Sequence, residues 1–136
     1  MKEQNVNHFC PKEKLRSLAS GLAIANTETD LGINLPHGYV KFFMMSNGYE
    51  GFVGKNSYLV LWHVEKLKQF QKGYQVNQYV PGLLMIGSDG GGEAYGFDTR
   101  LETWTVVQVP FIGMDWSMAQ LISASFEDFI EYLYKS

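Results

Sequence analysis

The sequence has almost no cysteine, with Cys10 the only one in 136 residues. A single cysteine excludes an intrachain disulfide and a cysteine-based metal cluster, and it fits a reduced, cytoplasmic setting. Long apolar runs are also missing, since the longest, residues 58–62, spans five positions. A bilayer-spanning helix needs about 20, and the N-terminal residues lack the apolar segment of a signal peptide. We therefore expect neither membrane insertion nor signal-directed secretion.

Basic residues are scarce in the second half of the chain. Residues 73–136 carry two of them, Arg100 and Lys135, against eight acidic residues, whereas residues 1–72 carry nine basic and six acidic residues. The two halves therefore have net charges of −6 and +3. An acidic surface disfavours nucleic acid and suits a basic protein partner, although soluble domains also acquire such imbalances by chance.

What the sequence does contain is apolar residues, 46% of the total, which suffice for the core of one domain. The chain is organised around residues 83–98, LLMIGSDGGGEAYGFD. An apolar strand-like run is followed by glycines, which lose too much backbone entropy to sustain regular structure. In the second run, strand alternation places Ala94, Gly96 and Asp98 on one face and Tyr95 on the other. The short connection predicts an antiparallel hairpin.

Apolar spacing and capping residues predict several other elements. The helical segments are residues 12–25, a short turn over 27–32, residues 37–46, residues 64–74, a turn at 119–122 and a C-terminal helix after Ser125. Residues rich in β-formers, 57–62 and 103–109, are predicted strands in one sheet with the central hairpin. Residues 50–56 and 75–82 are predicted loops. The residues by themselves indicate a mixed α/β domain.

The glycine loop, residues 87–92, is the first candidate for chemistry, because such loops present backbone N–H groups to anions. It has no P-loop motif and no helix is predicted after it, and Asp89 and Glu93 would repel a phosphate. A structural turn is therefore the better interpretation. Asp89, Glu93 and Asp98 also lack the spacing of a calcium-binding loop, and hairpin acids commonly point into water.

Catalytic and metal-binding side chains do not cluster along the sequence. His8, His37 and His63 stand apart and match no zinc-binding pattern. Ser88 does not lie in a nucleophile elbow, and Cys10 has only His8 near it. A carboxylate pair for glycoside hydrolysis stays open, because the separation of two carboxylates is a three-dimensional quantity. We expect no turnover, no bound metal and no cofactor, which favours a binding protein.

Four segments, taken in order, resemble the SUKH superfamily, which includes fungal cell-wall assembly regulators and bacterial toxin-immunity proteins. They are Leu35-Pro36 with Tyr39 and Phe42-Phe43; Asn47-Gly48; residues 84–93, LMIGSDGGGE, with Tyr95 and Asp98; and Ser125-Phe126-Glu127-Asp128-Phe129. The resemblance covers residues 27 to 133. We therefore divide the chain into an N-terminal extension, residues 1–26, partly helical, and a SUKH-like domain, residues 27–136.

The resemblance implies an α+β fold, with a mainly antiparallel sheet and helices packed around it, and a non-catalytic protein. It also implies that the motif residues are architectural: Pro36, Asn47, Gly48, Gly87, Asp89, Gly92 and Asp98. Bacterial members of the superfamily neutralise polymorphic toxins, many of them nucleases, by direct binding. The first hypothesis is thus a bacterial, cytoplasmic immunity protein with a toxin domain as partner. The alternative is a general interaction or regulatory module, as in the fungal relatives.

A nuclease partner would carry a basic substrate groove, because that groove holds phosphates. Acids of residues 73–136 would then mimic the phosphates, and aromatic side chains would anchor the contact. The predicted partner-binding residues are Asp98, Glu102, Asp115, Tyr95, Trp104 and Trp116, with Asp89 and Glu93 as further acids. The alternative is that these acids only keep the domain soluble.

Overall fold

The computed structural model describes residues 9–136 and shows an α+β domain built on one antiparallel sheet. The six strands lie in sequential order: β1 Tyr49–Val53, β2 Ser57–Leu61, β3 Leu83–Ser88, β4 Glu93–Asp98, β5 Thr105–Pro110 and β6 Gln120–Ser123. The helices are α1 Gly21–Leu31, α2 His37–Phe43, α3 Leu67–Gly73, α4 Val76–Tyr79 and α5 Phe126–Lys135. The fold class implied by the resemblance is confirmed. Within the described residues, no helix has the length and apolarity needed to cross a bilayer.

Strand alternation divides the core into two clusters on opposite faces of the sheet. Tyr95 and Phe97 of β4 pack with the buried residues of α2 and α5. Ala94, from the other face of β4, packs with Val76 and Val80 around α4. The faces predicted for β4 are therefore confirmed, and helices or loops cover both sides of the hairpin.

The best predicted helix is α5. Its N-cap, Ser125, accepts a hydrogen bond from the backbone N–H of Asp128 at 3.1 Å, as the capping signature requires. One face of the helix buries Phe126, Phe129 and other apolar residues at helical spacing. Helix α2 follows Pro36 as predicted but ends at Phe43, short of residue 46. The strands predicted over 57–62, 83–87, 94–97 and 103–109 and the helix over 64–74 are confirmed with small shifts of their ends.

The helix predicted over residues 12–25 is wrong up to Ser20, whereas residues 21–25 are helical as predicted. The segment before α1 is held by tertiary hydrogen bonds instead, from Ala19 N–H to the Phe43 carbonyl at 2.8 Å and from Asn47 N–H to the Ser17 carbonyl at 2.9 Å. Helix α1 starts only after Ser20, whose hydroxyl caps it, and runs through residue 27, where a new helix was predicted to start. Helix α1 spans residue 26, where the sequence analysis divides the N-terminal extension from the SUKH-like domain. That division stays a prediction.

Three further elements differ from the sequence prediction. Four of the five residues of β1 lie in the predicted loop over residues 50–56, and all five pair with β2. The helical turn predicted over 119–122 is instead strand β6, paired with β5. The predicted loop over 75–82 contains the short helix α4. Cross-strand pairing with an existing partner outweighs the weak local preference of such short segments.

The joint between β2 and β3 is short. Only Val60↔Ser88 and Leu61↔Gly87 are paired in register. Beyond them, Gln71 of α3 takes the place of a strand, because its amide accepts from Met85 N–H at 2.9 Å and donates to Met85 carbonyl at 2.7 Å. The β1–β2 hairpin is joined to β3 by these two register pairs and by a hydrogen bond from Trp62 N–H to the Ile86 carbonyl at 3.1 Å.

Candidate functional site

The end of β4 positions Asp98 beside Arg100. The Asp98 carboxylate accepts hydrogen bonds from Arg100 Nε and Nη2, both at 3.0 Å, and from the Arg100 backbone N–H at 3.1 Å. The Arg100 side chain holds the pKa of Asp98 below its ordinary value. The charge of Asp98, one of the predicted partner-binding acids, is therefore balanced within the chain.

The same arginine holds the loop between β5 and β6. Its guanidinium carbon lies 3.6 Å from the ring centroid of Trp116, a cation–π distance. Trp116 Nε1 donates to the Pro81 carbonyl at 2.8 Å, and Asp115 accepts from Ser117 N–H at 2.8 Å, which caps the following 3₁₀ turn. The structure thus brings Asp98 and Trp116 together around Arg100, which the sequence analysis did not select, and we call these three residues the Arg100 cluster. Asp115 precedes Trp116 and caps the following turn.

A glycine allows this close packing. Gly82 has φ +91°, and a Cβ at that position would lie 2.6 Å from Arg100 Cγ. Its carbonyl accepts from the Thr99 N–H at 2.8 Å and the Thr99 hydroxyl at 2.6 Å. The connection after β4 is therefore fixed to the residue that precedes β3.

Replacing Arg100 by alanine is expected to change how stability depends on pH. A carboxyl whose pKa is lowered by folding stabilises the protein above its unfolded pKa, about 3.9 for aspartate, and loses that contribution as the pH falls through the folded value. The wild type should therefore exceed Arg100→Ala in stability near neutrality, and the difference should shrink with acidification. Urea unfolding at several pH values measures the difference in the free energy of unfolding between the two proteins. Lys68→Ala is the control, and a pH-independent difference for Arg100→Ala would contradict the assignment.

Glu102 and Trp104 lie in a surface groove of about 610 Å³ between the N-terminal ends of α2 and α5. The ring centroid of Trp104 lies 6.0 Å from that of Phe97, a core residue against which the indole packs. Glu127 enters the groove from the first turn of α5, and its carboxylate rests against Gly38, where a Cβ would collide with it. The groove thus combines two carboxylates with an indole ring, a set suited to a basic side chain.

The predicted partner-binding residues therefore fall into three places. Asp98 and Trp116 contact Arg100, and Asp115 precedes Trp116 in the chain. Glu102 and Trp104 line the groove, and Tyr95 lies in the core. Tyr95 is 5% exposed and packs edge-on against Phe129 at 4.8 Å between ring centroids. Burial raises the pKa of Tyr95 to about 12. Its ring has no exposed face that a partner would reach.

The groove also contains Glu127, which the sequence analysis did not select. The capping pattern Ser125-x-x-Asp128 placed Glu127 in the first turn of α5, but nothing in that pattern reveals which way the side chain points. Its neighbour across the groove, Gly38, is far away in sequence. Only the packing of α5 against α2 brings the two together.

The remaining polar candidates have structural roles. Asp89 accepts from Gly91 N–H at 2.8 Å and from Glu93 N–H at 3.2 Å, which closes the hairpin turn. Cys10 is buried, and burial raises the pKa of its thiol to about 12; His8 lies outside the described residues. Within residues 9–136, no group of three or more His, Cys, Asp or Glu side chains is placed to hold a metal ion.

The fold and the groove define a single-domain α+β protein with an acidic, aromatic-lined surface suited to protein interaction. The chain belongs to the SMI1/KNR4 family (SUKH-1), whose model matches residues 18–132. The resemblance carried by the four sequence segments is thereby confirmed, and the match starts earlier than residue 27. No curated protein matches the chain at a significant level.

Proposed function

We propose that this protein is a non-catalytic immunity protein that binds a toxin domain directly and blocks it in the bacterial cytoplasm. The single observation that carries the proposal is the groove in which Glu102, Trp104 and Glu127 meet. Membership of the SUKH-1 family supports a role in protein interaction. A basic nuclease surface would complement the two carboxylates.

The groove suits a protruding lysine or arginine better than the Arg100 cluster does. Asp98 already has a guanidinium partner, and the Trp116 ring is already covered by it. Glu102 is exposed and Glu127 is half-buried, and both line the open groove. Two carboxylates in an open groove would steer a basic partner during encounter.

The test measures association with the toxin domain encoded beside the gene. The double variant Glu102→Lys/Glu127→Gln is expected to associate about tenfold more slowly than the wild type at low salt, because steering depends on complementary charge. The difference should narrow as salt rises, since screening weakens such attraction. Stopped-flow measurement of tryptophan fluorescence, with Trp104 in the groove, reports the association rate.

A matched control changes acids outside the groove. Glu13→Lys/Asp30→Asn raises the net charge by the same three units at exposed positions of the N-terminal half, and it should leave the association rate close to that of the wild type. Equal slowing by both double variants would show that only net charge matters. An unchanged rate in the folded groove variant would reject the groove as the binding surface.

The alternative, a regulatory interaction module, is separated from this proposal by a growth assay. Co-expression of an immunity protein with its toxin restores growth of the host, whereas a regulatory module leaves the toxin active. A toxin domain that stays lethal and does not bind the purified protein would favour the alternative.

A further inference from the structure

The last two strands and the loop between them carry almost no charge. Residues 103–126, which include β5, β6 and the loop between them, contain a single charged residue, Asp115. The whole chain has 11 basic and 14 acidic residues.

Strand β6 forms one edge of the sheet, and within residues 9–136 no strand lies beyond it. Sheet edges in monomeric proteins are commonly blocked by charged side chains or proline, and β6, QLIS, contains neither. Leu121 in the middle of β6 is 70% exposed, and Ile112 and Met118 in the preceding loop are 92% and 55% exposed. The edge thus combines backbone groups available for pairing with exposed apolar side chains.

The opposite edge of the sheet is closed. Tyr49 of β1 is bridged by Leu15, and the 3₁₀ turn Lys12–Lys14 lies against the same strand. The side chain of Lys14 passes over Gly51, where a Cβ would lie 3.5 Å from Lys14 Cδ. Within residues 9–136, β6 is therefore the edge that no other strand or bridge covers.

We propose that the β6 edge pairs with the β6 edge of a second copy of this chain, in an antiparallel two-fold dimer with a continuous twelve-stranded sheet. A head-to-tail assembly would need two open edges per chain, and the closed β1 edge leaves only the symmetric arrangement. Because β6 itself carries no charge, two chains of net charge −3 would bring no like charges of this strand together. This inference does not depend on the toxin partner.

The dimer should be weak. Strand β6 has only four residues, and its register with β5 shifts between Val106 and Val107, so few backbone hydrogen bonds can form across the edge. Leu121 of each copy would then provide much of the contact, since opposed apolar side chains stabilise antiparallel pairs. A concentration-dependent equilibrium between monomer and dimer follows.

The test is sedimentation velocity of the full chain over a concentration series, for the wild type and Leu121→Lys. The wild type should shift from monomer to dimer, and Leu121→Lys should raise the dissociation constant by about tenfold or more, because two lysines would face each other across the pair. Leu22→Lys is the matched control, since Leu22 is 72% exposed on α1, and its dissociation constant should equal that of the wild type.

Hydrogen exchange locates the interface independently of side-chain changes. The amides of β6 should become more protected as the wild-type concentration rises, and this change should be lost in Leu121→Lys. A wild type that stays monomeric throughout the series would overturn the proposal. So would a dimer that Leu121→Lys leaves intact, or an assembly that grows beyond two copies.

Discussion

Replacing Gly87 by alanine is expected to lower the free energy of unfolding by about 3 kcal/mol, the upper part of the range for overpacked sites. A Cβ at Gly87 would collide with the carbonyl oxygen of Val60 and lie 3.1 Å from Leu61 Cα. These residues form the two register pairs that join β2 to β3. The substitution therefore strains the joint on which the β1–β2 hairpin depends. Urea unfolding followed by circular dichroism measures the loss.

Gly92→Ala is the matched control for this prediction. Gly92 lies in the same hairpin region, its φ is not positive, and nothing lies within 4 Å of the position that a Cβ would occupy. The free energy of unfolding of Gly92→Ala should stay within about 0.5 kcal/mol of that of the wild type, as for exposed substitutions in general. If Gly87→Ala proved as stable as Gly92→Ala, β2 and β3 would not be held as closely as the structure shows.

Phe126→Ala is expected to destabilise the protein by about 3–5 kcal/mol, the usual cost of deleting a buried phenylalanine ring. Phe126 is 1% exposed, and its ring lies 5.2 Å from that of Tyr39 and 5.6 Å from that of Phe42. It also contacts Phe97 and Phe129. The alanine would leave a cavity where α2, α5 and the sheet meet. Thermal and urea unfolding measure the change.

Phe52→Ala provides the comparison, because the same ring is removed from an exposed site. Phe52 is 54% exposed and its ring has one aromatic neighbour, Tyr58, at 5.2 Å. Removing the Phe52 ring should lower the free energy of unfolding by no more than about 1 kcal/mol. Equal losses for the two variants would show that the aromatic cluster around Phe126 does not dominate the stability of the fold.

Elements with strong local signals were predictable. The hairpin of β3 and β4 is marked by an apolar run, glycines and an alternating run, and α5 by a capping serine before a regular apolar face. The helix after Pro36 was predictable for the same reason. In each case the residues that decide the structure are close together in sequence.

The wrong predictions share a different cause. Strand β1 contains glycine and β6 is only four residues long, so neither has a distinctive pattern, and both exist because a neighbouring strand satisfies their backbone groups. The segment before α1 follows helical spacing, yet its backbone bonds to residues 43 and 47. Long-range hydrogen bonds of this kind leave no trace in local spacing.

The sequence by itself determined the family, the central hairpin, the closing helix and the acidic character of the second half, because each depends on composition or on residues within a few positions. Only the tertiary structure decided which acids are available to a partner. Arg100 neutralises Asp98, and Glu127 joins Glu102 across the groove. Charge and exposure depend on what the fold places within a few ångströms of a side chain, and those neighbours come from distant parts of the chain.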